Sequence, residues 1–134
     1  MSGRASSEPV LAEGAPAPIG PYVPGRTGAL SGRWVVTSGQ IGLDPTTGAI
    51  VGGGIAAETE QVIQNLRAIL VAGGSDLTSV VKTTVYLADM ADFSSMNEVY
   101  ARRFGGHKPA RTTIAVKGLP LGCRVEIEAW AFEP

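Results

Sequence analysis

Apolar positions along the chain fall into two periodicities, and the elements can be read from where each holds. Over residues 56–72 the apolar side chains Val62, Leu66, Ile69 and Leu70 recur at helical spacing. Glu58 and Glu60 lie near the start and Gly73-Gly74 supply the stop, so an amphipathic helix is predicted there. A second helix is predicted over 92–104, with the stripe Phe93, Met96, Tyr100 and Phe104. Asp92 is its expected N-cap and Gly105-Gly106 its end.

The other periodicity is that of strands. Trp34-Val35-Val36-Thr37 is a short β-branched run, and the turn Asp44-Pro45-Thr46-Thr47-Gly48 is built to close a hairpin. Residues 80–87 read as a strand with Val81, Val85 and Leu87 on one face, and 111–116 as another. Over 124–132 the alternation is strict. Val125, Ile127, Ala129 and Ala131 point one way; Arg124, Glu126, Glu128, Trp130 and Phe132 point the other. The order β-β-β-α-β-α-β-β, ending in a hairpin, predicts an α+β fold with both helices on one face of a mixed sheet. The Val/Ile/Ala face of the last strand meets the helices. Two helices leave the Trp130 face uncovered, and an uncovered apolar face implies a partner, here a second copy of the chain.

Composition narrows the chemistry. The 134 residues include one His and one Cys, too few for an internal disulfide or a zinc site of the usual ligands. The 18 Gly and 9 Pro, about a fifth of the chain, point to many tight connections. Residues 1–14 lack periodicity and read as a flexible arm leading into Ala15-Pro16-Ala17-Pro18; 15–134 form a single domain. A net charge of −1 offers no basic face, so nucleic acid is not an expected partner. Arg102-Arg103, the one adjacent basic pair, suits a helix C-terminus. No run is long enough to span a bilayer and the start has no apolar signal core, so a cytoplasmic location is expected, with no membrane.

Whatever chemistry occurs here must therefore run mostly on carboxylates, guanidinium groups, hydroxyls and backbone. Arg111 opens a strand after Pro109-Ala110, and its planar fork suits a carboxylate. Glu126 sits in mid-strand on the helix-free face, where partial burial would fit it for proton transfer. Glu128 shares that face, and position alone does not choose between them. Tyr22 is held between two prolines, Ser38 precedes a permissive Gly39, and Asn97 reads most simply as a polar helix residue. Cys123 is better read as a small buried thiol than as a nucleophile, because no His is near it in sequence.

Six blocks in order resemble the RidA/YjgF family of enamine/imine deaminases. They are 17–22 (Ala-Pro-Ile-Gly-Pro-Tyr), 37–41 (Thr-Ser-Gly-Gln-Ile), 81–85 (Val-Lys-Thr-Thr-Val), Asp92-Phe93 with Asn97-Glu98, 109–112 (Pro-Ala-Arg-Thr), and Leu119-Pro120 leading to 125–129 (Val-Glu-Ile-Glu-Ala). The resemblance implies a chorismate-mutase-like fold: about six strands, two helices on one face, and a homotrimeric barrel with clefts between subunits. It implies hydrolysis of 2-aminoacrylate, 2-iminopropionate and related acids to 2-oxo acids and ammonia, with no cofactor and no metal. Matched by motif, Arg111 would bind the substrate carboxylate and Glu126 would orient or activate water. Tyr22, Ser38 and Asn97 would line the pocket, and backbone near Thr113 would hold the imine end. The alternative is a non-catalytic trimer of the same fold that binds small carboxylates. Thr113 stands where many bacterial members have Cys, and the 22–34 connection is longer than usual for the family.

Overall fold

The computed structural model describes residues 7–29 and 32–132. Strands β1 (Glu8–Val10) and β2 (Gly25–Thr27) pair antiparallel in a small sheet of their own. Residues 1–6 of the segment read as an arm lie outside the described residues; part of the rest is this strand, for which the sequence shows no periodicity. The main elements follow as β3 (Trp34–Val36), β4 (Gln40–Ile41), helix α1 (Gly54–Ala72), β5 (Val80–Leu87), helix α2 (Phe93–Phe104), β6 (Ala110–Ala115) and β7 (Val125–Phe132). Short 3-10 turns precede β5, α2 and β7.

The mixed sheet and its two helices match the α+β expectation. Its strands run β3 and β4, then β7, β5 and β6. Strand β7 alternates as its sequence demands: Val125, Ile127, Ala129 and Ala131 are fully buried, while Glu126, Glu128 and Phe132 are half-buried and Trp130 is exposed. The buried set packs with Val62, Leu66 and Leu70 of α1 and with Met96 and Tyr100 of α2. The turn at Asp44 also forms: Leu43 and Ile50 make an antiparallel bridge, and Asp44 Oδ1 accepts from Thr46 N at 2.8 Å.

Four expectations change. The terminal pair is not a hairpin: β6 runs parallel to β5, and β7 lies antiparallel on the other side of β5. The 116–124 connection wraps the end of β5, with Val116 N donating to Leu87 O and Ala88 N to Arg124 O. Val81 does not share the inner face with Val85; a register shift between Val80 and Lys82 puts Val80 in the core instead. Asp92 precedes α2 but its side chain makes no cap bond, because a 3-10 turn already leads into the helix and Asp89 accepts from Ala91 N at 2.9 Å. Helix α1 starts at Gly54, so Glu58 and Glu60 fall outside its first turn. Glu58 is buried and accepts the Arg124 N–H at 2.8 Å, while Glu60 pairs with Arg102 and Arg103 of α2.

Candidate active site

The entry to β6 is held at three points. Arg26 Nη1 donates to Lys108 O at 3.0 Å, Val23 N to Pro109 O at 3.2 Å, and His107 Nε2 lies 2.6 Å from Val80 O. Two residues later comes Arg111, on the helix side of the sheet. Its guanidinium carbon lies 4.9 Å from the ring centre of Tyr100, 5.1 Å from Tyr22 and 5.7 Å from Phe93. Gly20 closes the cage; a Cβ there would come within 3.0 Å of Arg111 Nη2.

Arg111 is only 8% exposed, and none of its three nitrogens has a hydrogen-bond partner. Burial pulls its pKa down, yet a guanidinium stays charged far above neutrality. Ring faces attract the cation but accept none of its N–H bonds well, so five donors are left for a ligand. Asn97 Oδ1 and Thr113 Oγ1 are among the other buried side-chain atoms without a hydrogen-bond partner. Asn97 falls between Phe93 and Tyr100 on one stripe of α2. Thr113 lies two residues beyond Arg111, on the same face of β6. Unmet donors and acceptors of this kind at one sheet edge suit a small, planar, anionic ligand that also carries a polar group.

Glu126 belongs to a second cluster. On β7 it pairs in register with Ile41 and Tyr86, on the face that carries no helix. Its carboxylate lies against Gly39, where any Cβ would overlap Glu126 Oε2. Exposed Ser38 precedes Gly39 in the chain. Glu128, the other candidate, accepts a hydrogen bond from Tyr86 Oη at 3.3 Å and so already has a partner on that face. Of the residues singled out from sequence, one chain thus gathers Arg111, Tyr22, Asn97 and Thr113 on one side and Glu126 with Ser38 on the other.

The sequence reading missed Gly20, Phe93 and Tyr100 as parts of this site. Tyr100 was visible only as a core position of a helical stripe, and Phe93 as a stripe position and part of a family block with no role attached. Cys123 behaves as expected of a packed thiol: it is buried, donates weakly to Val125 O at 3.6 Å, and burial pushes its pKa up.

Residues 12–133 match the family model described as Endoribonuclease L-PSP. The solved structure of the YjgF gene product from E. coli superposes with a TM-score of 0.73 at 38% identity, covering 95% of this chain and 99% of that one. The chain belongs to the RidA/YjgF family. A human 2-iminobutanoate/2-iminopropanoate deaminase is 48% identical over 119 residues, which is 89% of this chain and 85% of the relative. E. coli TdcF, solved with bound serine, is 36% identical with a TM-score of 0.73, covering 95% of this chain and 99% of that one. Family membership extends over the whole sheet and both helices, so the Arg111 and Glu126 clusters both lie within it. Among the described residues, no helix is long and apolar enough to cross a membrane.

Proposed function

We propose that this chain is a hydrolytic deaminase of 2-imino acids and their enamine tautomers, releasing a 2-oxo acid and ammonia. The observation that carries the reading is the buried, unpartnered Arg111 guanidinium in its aromatic cage. It is supported by the deaminase relatives and by the serine bound in TdcF, an amino acid whose carboxylate a guanidinium fork would suit.

In this reading Arg111 holds the substrate carboxylate through two parallel hydrogen bonds, which fixes the plane of the adjacent C=N group. Asn97, Thr113 and Tyr22 surround the nitrogen end. Water adds to C2, Glu126 takes its proton, and the tetrahedral carbinolamine collapses with transfer of a proton to the departing nitrogen. The balance is imine plus water to oxo acid plus ammonia, with no change of oxidation state. An imine carbon is already electrophilic, so orientation and one proton-transfer group provide the acceleration. Arg111 and Glu126 face opposite sides of one sheet, so Glu126 and Ser38 reach the substrate from a neighbouring copy. The exposed Trp34 and Trp130 rings, 6.3 Å apart, form the apolar part of that contact. A homotrimer with three such clefts, in the cytoplasm, completes the proposal; nucleic acid has no place in it at a net charge of −1.

The test adds purified protein to a dehydratase acting on serine or threonine and follows early 2-oxo acid release. Acceleration by the wild type, lost in Arg111→Ala, is expected. No acceleration, or the same rate in Arg111→Ala, overturns the reading. Carboxylate binding that depends on Arg111 without turnover would make the chain a binding protein instead.

A further inference from the structure

We infer that Tyr100, fixed in place by Thr83, is the positioning residue that sets where the Arg111 guanidinium lies. The inference rests on the reading of Arg111 as the carboxylate-binding group. Thr83 and Arg111 are register partners on β5 and β6, so their side chains leave the same face of the sheet. Tyr100 comes down onto that point from α2. Its hydroxyl and Thr83 Oγ1 are 2.7 Å apart, and both residues are wholly buried. The ring stacks on Phe104 at 4.5 Å and presents itself to Arg111 at 4.9 Å.

A buried hydroxyl pair is not what packing alone would select, since Phe and Val fill nearly the same space without polar groups to desolvate. What the pair adds is direction. One end of the Tyr100 ring is tied to the strand neighbour of Arg111, and one face is held by Phe104. Arg111 itself makes no hydrogen bond, so the surrounding rings are what restrains it.

Tyrosine also solves a problem that a carboxylate would create. An Asp or Glu placed to orient Arg111 would pair with it and compete with the substrate. Burial pushes the Tyr100 pKa up to about 12, so the hydroxyl stays neutral at neutral pH. It orients the cation without occupying it.

The experiment measures equilibrium binding of pyruvate, a non-reacting 2-oxo acid, together with kcat and KM for 2-iminopropanoate generated in situ. The variants are Tyr100→Leu, Tyr100→Phe, Thr83→Val, Thr83→Ser and Arg111→Ala, with thermal melts for each. Tyr100→Leu is expected to weaken pyruvate binding about tenfold or more and to raise KM in step, as displacement of an orienting group does. Thr83→Val and Tyr100→Phe are expected to raise KM by similar smaller factors, with the double variant no worse than either, because they break one shared bond. Thr83→Ser restores the wild-type KM by restoring the hydroxyl. Should Tyr100→Leu fail to fold, the Thr83→Val and Thr83→Ser pair decides. Wild-type pyruvate affinity and KM in Thr83→Val and Tyr100→Phe, whatever their melting temperatures, overturn the inference. Wild-type pyruvate binding in Arg111→Ala overturns the parent reading instead.

Discussion

Arg111 and Glu126 stand on opposite faces of one sheet, the first against α2 and the second on the side that carries no helix. If each site takes Arg111 from one copy and Glu126 from the next, two inactive variants can complement each other. Arg111→Ala and Glu126→Ala, each inactive alone, are mixed after denaturation and refolded together at equal amounts. Random assembly leaves about a quarter of the contacts with both residues intact, and about a quarter of wild-type activity is expected. Absence of any recovery, with mixed oligomers verified by mass spectrometry, would place both groups in a site within one chain.

Gly39 leaves no room for a side chain beside Glu126 Oε2. Gly39→Ala should push the Glu126 carboxylate aside and lower kcat about 10- to 100-fold, the scale of losing a positioned acid–base group. Pyruvate binding, which depends on Arg111, should stay near wild type. Loss of both together would mean that the two clusters are not separate.

Trp34 is 64% exposed and Trp130 47% exposed, in adjacent strands of the helix-free face. Light scattering after size exclusion should find an oligomer at micromolar concentration. Trp34→Glu with Trp130→Glu should give a folded monomer without activity. A monomeric wild type would remove the basis for a shared site.

His107 meets Val80 O at 2.6 Å, and burial lowers its pKa below 6.5. The unfolded chain takes up a proton at higher pH than the folded one. Stability is therefore present above pH 6.5 and is lost as the pH falls through the folded value. The melting temperature of the wild type should fall more steeply below pH 6.5 than that of His107→Gln, whose amide can still donate to Val80 O. Parallel curves would show that His107 protonation is not linked to folding.

Local pattern was a good guide wherever one element's surroundings follow from its own period. The alternation of β7 separates its buried and open faces residue by residue, and the glycine pairs after Ala72 and Phe104 end both helices. What the pattern could not show depends on partners distant in the chain. Nothing near 111–116 tells that β6 joins β5 in parallel, and nothing near Val81 marks the register shift. Asp89 caps the 3-10 turn that comes before α2, and the helix itself starts without a side-chain cap. At the candidate site, Arg111 and Glu126 were legible as residue types on strands. Tyr100 was not, because its period is that of a core residue and only the fold brings Arg111 beneath it.

The place of β7 at the centre of the sheet has a consequence for synthesis. It is translated after every strand it joins, and it supplies four wholly buried side chains to the core. Until it emerges from the ribosome, β3 and β5 have no common neighbour, and the apolar faces of both helices lack their main partner. The nascent chain must then remain open, in the keeping of whatever holds unfolded chains, and close only in a late step.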